Sequence, residues 1–211
     1  SATAATGYDV ANSLRFNSGS SDYLNKTMGG SPTNTRKGTF SFWFKISTLA
    51  TSAEKYIFST FADSNNFTQL KINGSHQLEF QCREGGTTDL RFDTDQLFRD
   101  VSSWYNLVIA VDTTDGTAGN RVKIYLNGTQ ILSSFGTENT PSQNLQPHFL
   151  TGGIVRTIGA YGNGNNIGFD GYMSEIVFID GSQEAVTSFG EFDNSGIWKP
   201  IDVSGLTFGT N

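Results

Sequence analysis

Trp104–Gly128, WYNLVIAVDTTDGTAGNRVKIYLNG, decides the fold. Two apolar runs flank a loop of Asp, Thr, Gly and Asn. In the second run Val122, Ile124 and Leu126 alternate with Arg121, Lys123 and Tyr125, and a period of two sends the two sets to opposite faces of a strand. The first run, Leu107 to Val111, is apolar on both faces, as suits an interior strand. Asn127-Gly128 is a tight-turn signal because both residues tolerate positive φ. The stretch predicts a long antiparallel hairpin at the centre of a β-sandwich, with a second turn into residues 129–133.

Working outward, Thr39–Ile46 alternates more clearly than any other segment. Phe40, Phe42, Phe44 and Ile46 share one face, and Thr39, Ser41, Trp43 and Lys45 the other. Trp43, on the polar side, is expected to pack under another segment or to line a surface. Further strands are predicted at Leu14–Phe16, Tyr23–Leu24, Tyr56–Phe61, Phe67–Ile72, Gln77–Arg83, Thr88–Phe92, Val155–Ala160 and Phe169–Ile179. Asp93–Ser103 is polar and predicts a short helical turn. Phe135–Gly153, with Pro141 and Pro147, reads as a long irregular segment, which in a compact domain is functional or an interface. Glu184–Phe189 predicts one helical turn.

The 211 residues are enough for one large domain, and many short strands with Gly-rich turns make it all-β, a sandwich of two antiparallel sheets. Its division is read as an N-terminal arm or linker over 1–12, the sandwich over 13–181 and a C-terminal extension packed on it over 182–211. Aromatic side chains, 17 of them Phe, suit the space between sheets. The net charge of −6 argues against nucleic acid, whose phosphates need clustered Lys and Arg, and no window reads as a membrane-inserting helix. Ser1–Asn12 has neither a basic start nor an apolar stretch, so it does not read as a secretory leader. Cys82, the single cysteine, alternates with Leu78 and Phe80 and is expected to be a buried, inert thiol.

Taken in order, SLRFN, DYL, TFSFWFKI, WYNLVIAVD, NRVKIYLNG, IGAY and FDGYMSEIVFIDG resemble the laminin-G-like, concanavalin A-like lectin jelly roll over roughly Ser13–Gly181. GYDVANSLRFN at the start, and YMSEIVFIDG followed by SFGEFDNSGIWKP and FGTN at the end, are similar to a variant found in virion proteins of marine bacteriophages. That resemblance implies a tail, fibre or capsid-surface module on the virion, with other virion proteins, further copies of itself and host-surface glycans as partners. The alternative is a secreted bacterial lectin. Ser174 departs from the family pattern, in which many members carry an acid there.

Retaining glycosidases on the resembled fold use a strand of alternating acids, E-x-D-x-x-E, which brings nucleophile and acid/base to one face. The nearest match is Glu191-Phe192-Asp193, where Gly196 replaces the second Glu in a segment read as a solvated turn. His76 and His148 sit among polar residues and are expected at the surface. No catalytic residue is therefore assigned. Sugar binding needs aromatic faces beside amides or carboxylates. Tyr161, Asn163, Asn165 and Asn166 supply these if they share a rim with Asp63, Asn65 and Asn66. No cofactor is required, and calcium is the metal the oxygen-rich loops could hold, through Asp112, Asp115, Asn120 and Asp170. Asp and Asn are also ordinary turn residues.

Overall fold

In the computed structural model residues 7–49, 54–131, 135–162 and 165–210 are described. The strands are β1 (Leu14–Phe16), β2 (Leu24–Thr27), β3 (Lys37–Ile46), β4 (Lys55–Asp63), β5 (Asn66–Ile72), β6 (Gln77–Glu84), β7 (Thr87–Leu97), β8 (Tyr105–Asp112) and β9 (Val122–Leu126). They continue as β10 (Thr129–Gln130), β11 (Phe135–Asn139), β12 (Val155–Ile158), β13 (Ala160–Tyr161), β14 (Asn165–Gly168), β15 (Gly171–Asp180), β16 (Gly190–Phe192) and β17 (Trp198–Pro200). Among the described residues the helices are single 3₁₀ turns, one of them at Val186–Ser188 where a turn is predicted.

Two antiparallel sheets face each other. One has the order β1-β15-β3-β8-β9-β10, the other β11-β7-β6-β5-β4-β12-β2. The predicted β8–β9 hairpin forms with Val111 opposite Val122 and Leu107 opposite Leu126. It lies fourth and fifth in its sheet, so its first strand, β8, shares the centre with β3. Period-two patterning is realised on β3: Phe40, Phe42, Phe44 and Ile46 are at most 3 % exposed and meet Phe58, Leu70, Phe80, Leu90 and Phe149 from the other layer. Phe40 alone contacts Phe42, Phe58, Phe149 and Phe178 at centroid distances of 4.6–6.0 Å.

Two expectations fail together. Residues 93–97 continue β7 instead of turning into helix, and 135–139 is a strand rather than irregular chain. Each supplies the other's partner: Thr94 lies opposite Phe135 and Arg91 opposite Asn139. Neither alternates cleanly in apolarity, because inward Thr94 is kept as a hydrogen-bonding residue, its hydroxyl accepting from Leu78 N at 3.0 Å. Ala160–Tyr161 and Asn165–Gly168 pair in a further, two-stranded sheet, β13–β14. His148 is a further correction: it is 5 % exposed, and its Nδ1 lies 2.7 Å from Thr60 Oγ1. Burial and the nearby Arg156 hold it below the usual imidazole range. Its neighbours Phe149 and Leu150 are core residues and carry it inside.

The C-terminal segment covers the outer face of the six-stranded sheet. Val108, Val177 and Ile179 point outward there and pack with Phe189, Val186, Val203 and Leu206. Glu191-Phe192 lies in a short strand rather than a turn, while Asp193 closes the β16–β17 turn by accepting from Ser195 and Ile197 backbone amides and pairing with Lys199.

Candidate functional site: one rim and two faces

The rim residues are held by local chemistry. Asp63 accepts from Asn65 N at 2.7 Å and from Asn66 Nδ2 at 3.1 Å, and these bonds hold its carboxyl below the usual range. Asn66 Oδ1 in turn accepts from Gly85 N, and Gly86 N donates to Asn65 O, so the β4–β5 and β6–β7 turns are knitted into one rim. Tyr161 reaches the same region, with its ring 5.3 Å from Phe61 and 4.9 Å from Tyr56. Tyr161 thus packs on Phe61, two residues before Asp63 on β4. Asn163 lies outside the described residues, and Asn165 and Asn166 are described in backbone only.

Next to Tyr161 the outward face of the seven-stranded sheet carries a polar network. Tyr56 donates to Glu54 at 2.7 Å. Gln69 Nε2 donates to Glu79 and Gln81, both at 2.7 Å. Lys71 pairs with Glu54 and Glu79, and Arg91 Nη2 with Asp93 (2.8 Å) and Glu79 (3.4 Å). Alternation alone places these groups outward, between the inward Leu70, Phe80 and Phe92 of their own strands. Glu79 and Asp93 stand opposite each other in the β6–β7 register, and their carboxylates bond Gln69, Lys71 and Arg91.

Of the metal candidates, Asp112, Asp115 and Asn120 share the β8–β9 loop, and Asp170 stands apart. Asp112 pairs with Lys37 at 2.9 Å and accepts from Thr114, Asp115 accepts from Thr117 N, and the Asn120 carbonyl accepts from Gln183. Asp170 stands at the other end of β3, which runs from the Lys37–Asp112 pair to the Ile46–Gly171 pair, about 30 Å for ten residues. There it accepts from Ser18 N and Oγ, both at 2.8 Å, and from Lys55. No group of three His, Cys, Asp or Glu among the described residues is placed to hold a metal ion.

Sequence reasoning missed a groove on the outer face of the six-stranded sheet. All three tryptophans of the chain line it, together with Val10–Ser13, Ser174, Lys199 and Pro200, around a volume of about 440 Å³. Trp43 projects from β3, between Ser174 on β15 and Asn106 on β8. Trp198 arrives from β17 and is locked: its Nε1 donates to Asn106 Oδ1 at 2.9 Å, and its ring lies so flat on Gly128 that a Cβ there would stand 2.3 Å from it. Trp104 is 38 % exposed. The Trp43 Nε1 is buried and has no acceptor. Ser174, where the family pattern has an acid, instead donates to Asn12 O at 2.7 Å and ties the N-terminal segment to the groove wall. The one signal in the sequence was Trp43 on a polar strand face; nothing local linked it to residues 104 and 198.

Residues 17–185 match the family described as the concanavalin A-like lectin/glucanases superfamily. No curated protein matches the sequence. Among solved structures, the heptameric SAP-like pentraxin of Limulus polyphemus is 16 % identical, with a TM-score of 0.51, and the match covers 78 % of this chain and 70 % of that one. The NanB sialidase of Streptococcus pneumoniae, as its K499G mutant, is 17 % identical with a TM-score of 0.58 over 87 % of this chain. The match spans only 29 % of the sialidase. At these identities the likeness concerns the fold. With the family matched over most of its length and both sheets in place, the chain belongs to the concanavalin A-like lectin/glucanases superfamily.

Proposed function

We propose that this domain is a non-catalytic glycan-binding module whose sugar ring stacks in the tryptophan groove. The observation that carries the reading is the convergence of Trp43, Trp104 and Trp198 from three distant parts of the chain on one concavity. Indole faces supply apolar stacking area, with Trp104 the exposed one. Family membership supports a lectin role. The rim at Asp63, Asn65, Asn66 and Tyr161 is the second reading, favoured by the exposed turn amides beside the Tyr161 ring.

We further place the module on the surface of a bacteriophage particle, docked to other virion proteins and presenting many weak sites to host glycans; a secreted bacterial lectin is the alternative. The similarity of both chain ends to marine phage virion proteins supports the first location, and mass spectrometry of purified particles tests it.

A glycan array followed by calorimetry tests the binding. Trp104→Ala is expected to weaken the best glycan at least tenfold, about 1.4 kcal/mol, with unchanged thermal stability. Loss in Tyr161→Ala but not in Trp104→Ala moves the sugar to the rim, and an array without hits removes the glycan reading. Running both with calcium and with chelator shows whether a loop-bound cation takes part.

A further inference from the structure

At one edge the two sheets do not close on each other. β2 is the outermost strand of its sheet. β1 covers only Gly171–Met173 of β15, so β15 beyond Met173 is an edge as well. Its register shifts between Ser174 and Val177, where Glu175 has φ +46°. Between these edges lies a cavity of about 260 Å³, walled by Leu24, Met28, Phe40, Phe42, Ile158 and Phe178.

Two cations line this apolar space. Arg156 and Lys26 are directly opposite each other in the β12–β2 register and both border the cavity. Like charges at such positions repel. Arg156 is 6 % exposed. Its Nε donates to Phe149 O at 2.9 Å and its Nη2 to Thr151 O at 3.4 Å, both neutral carbonyls, while Nη1 is buried with no acceptor. The guanidinium stacks 5.0 Å from the Phe178 ring. Among the described residues no carboxylate lies within ion-pair distance of Arg156 or Lys26; Asp180 acts on Arg156 only through space. Burial brings the guanidinium down to about 10, still charged at neutral pH. A buried charge without a counter-ion is costly, and a buried donor without an acceptor adds to that cost.

We propose that this cavity binds a single-chain alkyl carboxylate, with the chain along the phenylalanines and the head group between Arg156 and Lys26. Its volume holds on the order of nine groups of water size, which points to a medium-length chain. A sugar acid would strand its hydroxyls against the apolar walls. The cavity lies between the sheets, and the tryptophan groove outside them, so the two binding proposals stand or fall separately.

Calorimetry at pH 7 with sodium octanoate, 1-octanol and sodium glucuronate tests the proposal. Octanoate is expected to bind saturably, one per chain, at least tenfold tighter than octanol, with no heat from glucuronate. Lys26→Gln, an exposed position, should bring octanoate within a few-fold of octanol. Ile176→Trp, which fills the mouth, should abolish binding while near-ultraviolet circular dichroism and the wild-type glycan response persist. Absence of saturable octanoate binding overturns the proposal. So do equal affinities for octanoate and octanol, binding of glucuronate, or undiminished octanoate binding in folded Ile176→Trp.

Discussion

Glu84 stands well above the ordinary carboxylate range. Desolvation at the end of β6, reinforced by the neighbouring Asp89 carboxylate, pushes it up to about 7. A carboxyl raised in the folded state favours folding only while protonated. Its cost is absent below the ordinary Glu range and grows as pH rises through 7. Wild-type stability is therefore expected to fall between about pH 5 and 8. Glu84→Gln should flatten that slope and gain about 1–2 kcal/mol at pH 8 after allowance for solvent screening, read from urea midpoints across pH. Gly128 tests a steric argument. It has φ +79°, and an added Cβ meets the Trp198 ring, so Gly128→Ala should cost about 2–4 kcal/mol and loosen the groove wall. Quenching of tryptophan fluorescence by acrylamide would rise in that variant. Cys82, buried with its thiol pushed up to about 12, is the inert residue its strand position suggests.

Strands explain why β3 dominates. It pairs with β15 on one side and β8 on the other, and its inward face supplies four core side chains. Phe44 is fully buried between Tyr105, Phe98 and Phe169. Phe44→Ala is expected to cost about 3–5 kcal/mol, lowering the denaturation midpoint without changing the far-ultraviolet spectrum of what remains folded. β15 is read through its bulge: Ile176 and Phe178 face the inter-sheet core, while Val177 and Ile179 face the C-terminal segment. Removing residues 186–211 should uncover that second cluster and strip Trp198 from the groove. The truncated chain is expected to bind a hydrophobic dye and to lose glycan binding.

Over the whole molecule the sheets are closed by distant partners. Leu14 meets Met173 and Leu24 meets Ile158, so the N-terminal strands cannot dock until most of the chain is in place. Such topologies fold in milliseconds to seconds or slower, and stopped-flow refolding should fall in or beyond that range. A refolding phase of microseconds would show that closure is not limiting.

The sequence by itself determined the sandwich, because period two in Phe40–Ile46 and Val122–Leu126 is a local property that burial on one face enforces. It also determined the turn at Asp63, whose carboxylate accepts from Asn65 and Asn66, its immediate neighbours. Only the tertiary structure decided that 93–97 and 135–139 are strands, that His148 is buried, that three tryptophans form a groove, and that Arg156 sits opposite Lys26. Each of these depends on residues far apart in the chain, and pairing across such distances is set by the energy of the assembled layers rather than by any local pattern.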